Sequence, residues 1–248
     1  MQVEGRVAMV TGSGNGIGAA IARRLAGDGA TVAVCDLDGP AAGAVAGEIG
    51  GGAIPVTVDV SDSGAVRAAV SEIERALGPI EVLVNNAGFD RIEPFMDSTE
   101  DTWDRLWRVN LKGTIICCKT VLESSMIPGG RGRIVNLGSD AGRVGSSGEA
   151  VYSATKGGII AFTKTLAREM ARNGVTVNCV CPGPTDTALL AQLGEASSGL
   201  RESLAKAIPM RRIGQPDEVA AMVAFLASDD AAYVTGQTVS VNGGLTMS

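Results

Sequence analysis

Val7-Ala8-Met9-Val10-Thr11-Gly12-Ser13-Gly14-Asn15-Gly16-Ile17-Gly18 decides how this chain is read. An apolar, β-branched run enters a glycine-rich turn, and a helical pattern over 17–27 begins at once. Glycines let backbone approach a pyrophosphate, and the N-terminus of the next helix offers unpaired N–H groups to it. The strict Gly-x-Gly-x-x-Gly fingerprint is not met, because Ile17 stands where its third glycine would; the chain has Gly12-x-x-x-Gly16-x-Gly18 instead. A tight turn needing positive φ would explain those glycines alone. The next strand adds a carboxylate: Val34-Cys35-Asp36 ends 20 residues beyond Gly16. That spacing suits a side chain that accepts hydrogen bonds from the adenosine ribose hydroxyls and repels a 2′-phosphate. Asn15, Asp36 and Leu37 supply no basic group for such a phosphate, so the cofactor reading is NAD. A plain helix N-cap is the other reading of Asp36.

Outward from this stretch, short apolar runs at 7–10, 31–35, 53–58, 82–84, 134–137, 175–180 and 238–241 read as strands. Helical patterns occupy 17–27, 63–77, 103–123, 151–172 and 217–227, the last with Pro216, Asp217 and Glu218 at its start. Several strands are apolar throughout, as strands covered on both faces are. The expectation is a single-domain, Rossmann-type α/β fold over 1–248: a doubly wound parallel sheet of about seven strands with helices on both faces. Regularity fails over 182–210, read as a substrate flap at about 184–210. Asp59-Val60 and Asn86-Ala87-Gly88 follow the third and fourth strands, at the sheet edge where ligands of open α/β sheets bind. There they are candidate cofactor contacts, although each alone is also a turn signal.

Composition narrows the chemistry. The 248 residues include no histidine, which removes Ser-His-Asp triads, HExxH zinc sites and imidazole switches. Net charge is −6 and no basic run exceeds a pair, so no nucleic-acid partner is expected. Five cysteines in apolar surroundings, with no CxxC, read as buried reduced thiols. No metal site is expected. Without an apolar span or a leader-like N-terminus, the expectation is a soluble, cytoplasmic protein acting on a small molecule, with no membrane partner.

Acid–base work then falls to other groups. Tyr152 and Lys156 are one turn apart on a helical pattern and share a face. An ammonium that close favours phenolate and is expected to pull the tyrosine pKa down. Ser139 closes the fifth strand, where its hydroxyl can share a substrate oxygen with Tyr152.

The set Thr11-Gly12-x-x-x-Gly16-x-Gly18, Asn85-Asn86-Ala87-Gly88, Asn110, Ser139, Tyr152-x-x-x-Lys156 and Pro182-Gly183 resembles the short-chain dehydrogenase/reductase family over essentially the whole chain. The resemblance implies reversible hydride transfer, with Tyr152 as acid/base and Ser139 orienting the carbonyl. It implies that Lys156 binds the nicotinamide ribose and that Asn110 fixes a helix holding a proton-relay water. It also implies that Pro182, Gly183, Thr185 and Thr187 meet the carboxamide or phosphates, and that the assembly is a homotetramer. Ser139–Gly158, Val180–Leu190 and the terminal GGLTM further resemble the 2-hydroxycyclohexane-carbonyl-CoA dehydrogenase group. Phe89, Arg143, Val144, Glu149, Leu189 and Leu190 flank the catalytic residues or lie on the flap, and are candidate substrate contacts. A substrate with a cyclic or aryl secondary alcohol follows. The alternatives are an NADPH-dependent 3-oxoacyl-carrier-protein reductase and a catalytically silent NAD-binding scaffold.

Overall fold

The alternation of strands and helices closes into one sheet. The computed structural model describes residues 3–187, 190 and 199–247. Its strands are β1 (Val7–Thr11), β2 (Thr31–Asp36), β3 (Ile54–Thr57), β4 (Ile80–Asn85), β5 (Gly132–Leu137), β6 (Val175–Pro182) and β7 (Thr238–Val241). They pair in the order β3-β2-β1-β4-β5-β6-β7, every pair parallel. The order reverses between β1 and β4, where Val10 lies in register with Val34 on one side and Val84 on the other. A crevice opens at the carboxyl ends of these strands, the place where open α/β sheets bind ligands.

Both faces of the sheet are buried, which explains the continuous apolar strands. Ala8 and Val10 pack with Ile21, Leu25 and Val223, from α1 (Gly16–Gly27) and α10 (Pro216–Ala227). Met9, between them, points to the opposite layer with Val70, Ile73, Cys117 and Val121, from α3 (Ser63–Leu77) and α5 (Gly113–Val121). Alanines on α1 and α10 keep those helices close to the sheet. All seven expected strands are present, and all five cysteines are free and buried.

Three helical features differ from expectation. Helix α2 (Gly39–Ile49) was not signalled, because Gly39, Gly43 and Gly47 dilute its pattern. Asp38 caps it by accepting the Ala41 N–H, Pro40 sits in its first turn, and Ala42, Val45 and Ala46 are buried. The pattern at 103–123 is not one uniform helix. It runs as α4 (Glu100–Leu106), a π-helical stretch Trp107–Lys112, α5, a second π-helical stretch Leu122–Met126 and the single turn α6 (Ile127–Gly129). Finally, α9 (Leu200–Ala207) lies inside the segment read as irregular, while Leu189 of the flap lies outside the described residues. Among the described residues no helix is long and apolar enough to cross a membrane, and no group of side chains is placed to hold a metal ion.

Candidate active site

The turn after β1 uses its glycines in different ways. Gly12 and Gly16 have φ of +62° and +54°, a region that side chains other than glycine rarely enter. At Gly18 a Cβ would lie 2.1 Å from the Gly12 carbonyl oxygen and 2.5 Å from Asn86 Nδ2, so this glycine lets α1 close onto the turn. Asn86 laces β4 to the same turn, its amide donating to the carbonyls of Thr11 (3.0 Å) and Gly12 (2.8 Å). Thr11 Oγ1 accepts from the backbone N–H groups of Asn86 and Ala87, each at 3.1 Å.

Asn15 is the N-cap of α1 but makes no side-chain cap bond, which leaves first-turn N–H groups for an anion. Asp36 closes β2 beside the turn: one carboxylate oxygen accepts the Gly14 N–H at 2.8 Å and the other the Asp38 N–H at 3.0 Å. A Cβ on Gly14 would stand 2.9 Å from that carboxylate. Positive-φ glycines, an open helix N-terminus and a carboxylate at the end of the second strand fit a dinucleotide. Leu37 is exposed, and Asp59 accepts the Ser61 N–H at 2.8 Å in an ordinary turn. Val60 is buried under α5, where a Cβ on Gly113 would meet it at 2.8 Å.

Gly88 and Phe89 carry the chain from β4 toward the candidate catalytic groups. Asn110, in the first π-helical stretch and fully buried, grips Phe89 at both backbone groups. It accepts the N–H at 2.7 Å and donates to the carbonyl at 2.8 Å. Its amide also reaches Thr155 Oγ1 at 3.3 Å, on α8 (Ala150–Met170), which follows the short helix α7 (Ala141–Val144). Thr114 Oγ1 caps the Asn110 carbonyl at 2.8 Å.

Ser139, Tyr152 and Lys156 converge from β5 and α8. The Ser139 hydroxyl accepts the Ala141 N–H at 3.1 Å and hydrogen-bonds Tyr152. Lys156 is buried, donates to the Leu137 carbonyl at 2.8 Å, and holds its ammonium 5.7 Å from the Tyr152 ring centroid. Lys156 therefore sits where expected, but the tyrosine pKa moves the other way. Burial pushes the Tyr152 phenol up, the charge of Asp90 adds to this, the Ser139 hydrogen bond opposes it, and Glu149 and Cys181 raise it further. Burial also pulls the Lys156 ammonium down, against the charges of Cys179, Cys181 and Asp90.

Asp90 is a half-buried carboxyl acting on Tyr152 that sequence reasoning missed. Its carboxyl hydrogen-bonds that of Glu149, and burial, then the hydrogen bond and charge of Glu149, push it up to about 7. Two carboxyls can share a hydrogen bond only if one keeps its proton. A single backbone bond, Glu93 N–H to the Gly148 carbonyl at 2.9 Å, draws the two segments together. The signal available was an acid directly after the Asn85–Phe89 run and another three residues before Tyr152.

The remaining candidates divide. Gly183 is compelled by packing, since a Cβ there would stand 2.7 Å from that of Asn242. It follows Pro182, the last residue of β6, and its N–H bonds the Val241 carbonyl at 3.0 Å. Thr185 is buried, donates to the Gly183 carbonyl at 2.9 Å, and bridges to Gly214. Thr187 faces the cofactor turn, 3.6 Å from a Cβ placed on Gly16, and its hydroxyl accepts the Leu190 N–H at 3.5 Å. Thr187 and Gly16 also line an open groove of about 570 Å³ with Arg23, Gln215 and Asp217, which none of Ser139, Tyr152 and Lys156 lines. Phe89 lies under the Arg105 guanidinium, 4.1 Å from its ring centroid. Arg143 donates to the Thr238 carbonyl (3.1 Å) and Ser240 Oγ (3.3 Å) on β7, while Val144 is exposed.

Known proteins are similar in sequence to this chain over essentially its whole length. A family model described as enoyl-(acyl carrier protein) reductase matches residues 12–246. The chain is 38% identical over 258 residues to a (3R)-3-hydroxyacyl-CoA dehydrogenase of Rattus norvegicus, covering 100% of this chain and 98% of that one. It is 40% identical over 247 residues to the 3-oxoacyl-[acyl-carrier-protein] reductase FabG of Vibrio cholerae, covering 100% of both.

Proposed function

Since the chain belongs to the short-chain dehydrogenase/reductase family of oxidoreductases, we propose that it is an NAD-dependent enzyme interconverting a secondary alcohol and its ketone. The substrate class we favour is a cyclic or aryl carbinol, with an alicyclic 2-hydroxyacyl-CoA thioester as its physiological form. The observation that carries the reading is the convergence of Ser139, Tyr152 and Lys156 beside a turn whose outer carboxylate is Asp36. For Asp36, a ribose diol is a matched pair of donors, whereas a 2′-phosphate is a like charge. This favours NAD over the NADPH of the carrier-protein reductase reading. Trp107 and Ile115, about two turns apart on the α4–α5 segment, are exposed apolar side chains that support self-association, which we read as a homotetramer from the family resemblance.

When bound, the nicotinamide supplies the hydride acceptor for oxidation and the donor for reduction. The chain's own groups handle position and the proton. Ser139 Oγ already accepts the Ala141 N–H, which leaves its own proton for a neighbouring oxygen. Tyr152 Oη takes the alcohol proton in oxidation and returns it in reduction. One of the three ammonium protons of Lys156 is committed to Leu137 and the others remain for hydroxyl partners. Its charge stabilises the phenolate as the proton leaves, in a site that excludes most water. Asn110, by fixing Phe89 and contacting Thr155, sets the distance between the β4 loop and α8.

The test is NADH formation at 340 nm with NAD⁺ or NADP⁺ against free cyclic and aryl secondary alcohols and alicyclic hydroxyacyl-CoA thioesters. Turnover of the thioesters with NAD⁺ alone is the expected result. Preference for NADP⁺ would overturn the cofactor reading, and activity only on free alcohols would overturn the thioester assignment.

A further inference from the structure

We infer that Asp140 is a positioning residue for hydride transfer: its carboxylate ties the segment after β7 to the turn that carries Ser139, and so fixes that turn between α8 and Gly183. The inference rests on the alcohol–ketone reading above and deepens it, since it concerns how the same site keeps its geometry.

The turn needs an outside hold. Pairing of β5 with β6 ends at Leu137 and Val180, and one further bond, Gly138 N–H to the Val180 carbonyl at 2.8 Å, comes just before Ser139. The bonds Ser139 makes to backbone are local: Oγ accepts the Ala141 N–H at 3.1 Å, and its carbonyl accepts the Gly142 N–H at 3.0 Å. Local bonds of this kind shape a turn without anchoring it to the rest of the fold.

Asp140 supplies the anchor. It is buried, and both carboxylate oxygens are engaged by residues far along the chain. Oδ1 accepts the Ser240 hydroxyl at 2.6 Å, and Oδ2 accepts the Asn242 amide at 2.5 Å. The direction of both bonds is fixed. Arg143 donates to Ser240 Oγ at 3.3 Å, which leaves the Ser240 proton for Asp140. Asn242 Oδ1 accepts the Gly244 N–H at 2.9 Å, so its amide nitrogen faces Asp140. The backbone adds a third tie, Asp140 N–H to the Pro182 carbonyl at 3.3 Å. A buried carboxylate is costly unless its oxygens are paired, and an apolar replacement often serves stability as well. What the acid adds here is direction.

Packing on either side leaves the turn no slack. A Cβ on Gly142 would stand 2.7 Å from the Gly157 nitrogen and 2.8 Å from Lys156 Cβ, so the turn lies directly on the backbone of α8. On the far side Asn242 is packed on Gly183, where a Cβ would stand 2.7 Å from its own, and the Gly183 N–H bonds the Val241 carbonyl at 3.0 Å. Ser139 is thus clamped between the helix of Tyr152 and Lys156 and the strand end that the reading assigns to the nicotinamide. A misplacement of about 1 Å in a reacting geometry can cost about a hundredfold in rate.

The experiment compares the wild type, Asp140→Asn, and the exchange variant Asp140→Asn, Asn242→Asp, on the secondary alcohol that the wild type oxidises fastest. The single substitution sets one amide against another, and the exchange restores an acceptor opposite a donor. Asp140→Asn is expected to lower kcat at least about tenfold while the Kd for NADH stays within about threefold, and the exchange to recover at least about threefold of the loss. An unchanged kcat, a loss that NADH binding shares, or a loss that the exchange does not restore overturns the inference. If Asp140→Asn does not fold, Asn242→Ala removes one tie and leaves the carboxylate. It is expected to lower kcat by about threefold or more with NADH binding retained, and an unchanged kcat again overturns the inference. Crystal structures of the wild type and the folded variant need no turnover. The turn at 139–142 is expected to move away from Tyr152, and a turn that stays in place overturns the inference. A displaced turn in a protein that oxidises no alcohol supports the anchor and removes the alcohol reading by itself.

Discussion

Asn110 holds Phe89 as a complementary strand would, accepting its N–H at 2.7 Å and donating to its carbonyl at 2.8 Å, from a helix distant in sequence. The contact couples the end of β4 to the helix that carries Tyr152, because the same amide touches Thr155. Replacing it with leucine leaves a backbone donor and acceptor unpaired in a buried setting, each worth about 1–3 kcal/mol. Asn110→Leu is therefore expected to lower the thermal midpoint by roughly 4–24 °C, at about 2–4 °C per kcal/mol for a chain of this size. Turnover should fall with it, as differential scanning calorimetry and steady-state assays on one preparation can check.

Tyr152→Phe removes one oxygen and leaves the dinucleotide turn intact. NADH binding, followed by its fluorescence, is expected to persist while turnover disappears. Retention of more than about a tenth of wild-type kcat, a difference of 1.4 kcal/mol, would remove Tyr152 from the acid/base role.

Asp36→Ala should relax cofactor choice. The wild type is expected to favour NAD⁺ over NADP⁺, and the variant to lose at least about tenfold of that preference, the scale of one lost charge-assisted contact. The loss should fall mainly on KM for NAD⁺. An unchanged preference would move cofactor selection elsewhere in the turn.

The carboxyl pair gives a pH signature whose sign is fixed. Asp90 sits near 7 in the folded chain, against an ordinary value of 3.8, so the folded state binds the proton more tightly than the unfolded one. Stability contributed by that proton is full below the ordinary value and is lost as pH rises through about 7. Asp90→Asn should accordingly gain stability over the wild type more at pH 8 than at pH 4, in paired urea titrations. The same substitution removes a negative charge that raises Tyr152. The limb of the oxidation profile that reports Tyr152 should therefore move to lower pH.

Much of this was readable from residue types, and the exceptions share a cause. All seven strands announced themselves, the five inner ones as apolar runs buried on both faces and the edge strands β3 and β7, only partly buried, through their β-branched residues. Ser139, Tyr152 and Lys156 were likewise visible, two of them through helical spacing. Helix α2 was hidden by glycines that its cap and buried alanines overcome, and packing is not a local property. The π-helical turn around Asn110 depends on a hydrogen-bond register that no residue name encodes. Asp90 and Glu149 lie on segments brought together across the fold, where Glu93 bonds to Gly148, so neither acid signals the other in sequence. The direction of the Tyr152 shift was missed for the same reason: the nearby lysine was legible, but the opposing carboxylates and the depth of burial were not.

Gly18→Ala gives a stringent check on the turn. The added methyl would lie 2.1 Å from the Gly12 carbonyl oxygen, a backbone atom that cannot swing away. The expected outcome is poor recovery of folded protein, or a folded protein that no longer binds NADH, whereas Gly43→Ala, with open space around it, should be tolerated.

The position of β1 between β2 and β4 has a consequence for how the protein emerges from a ribosome. The turn we assign to the dinucleotide is made early in synthesis, but Asn86, which fastens it, comes much later and reaches it only after β4 has docked. Until then the first strand has one bare edge and the glycine turn has nothing to hold its shape. Pairing that skips over intervening segments is slow to form. Nucleotide thus comes too late to guide the first steps of folding, and a nascent chain shorter than about β4 carries an uncovered strand edge rather than a small binding module.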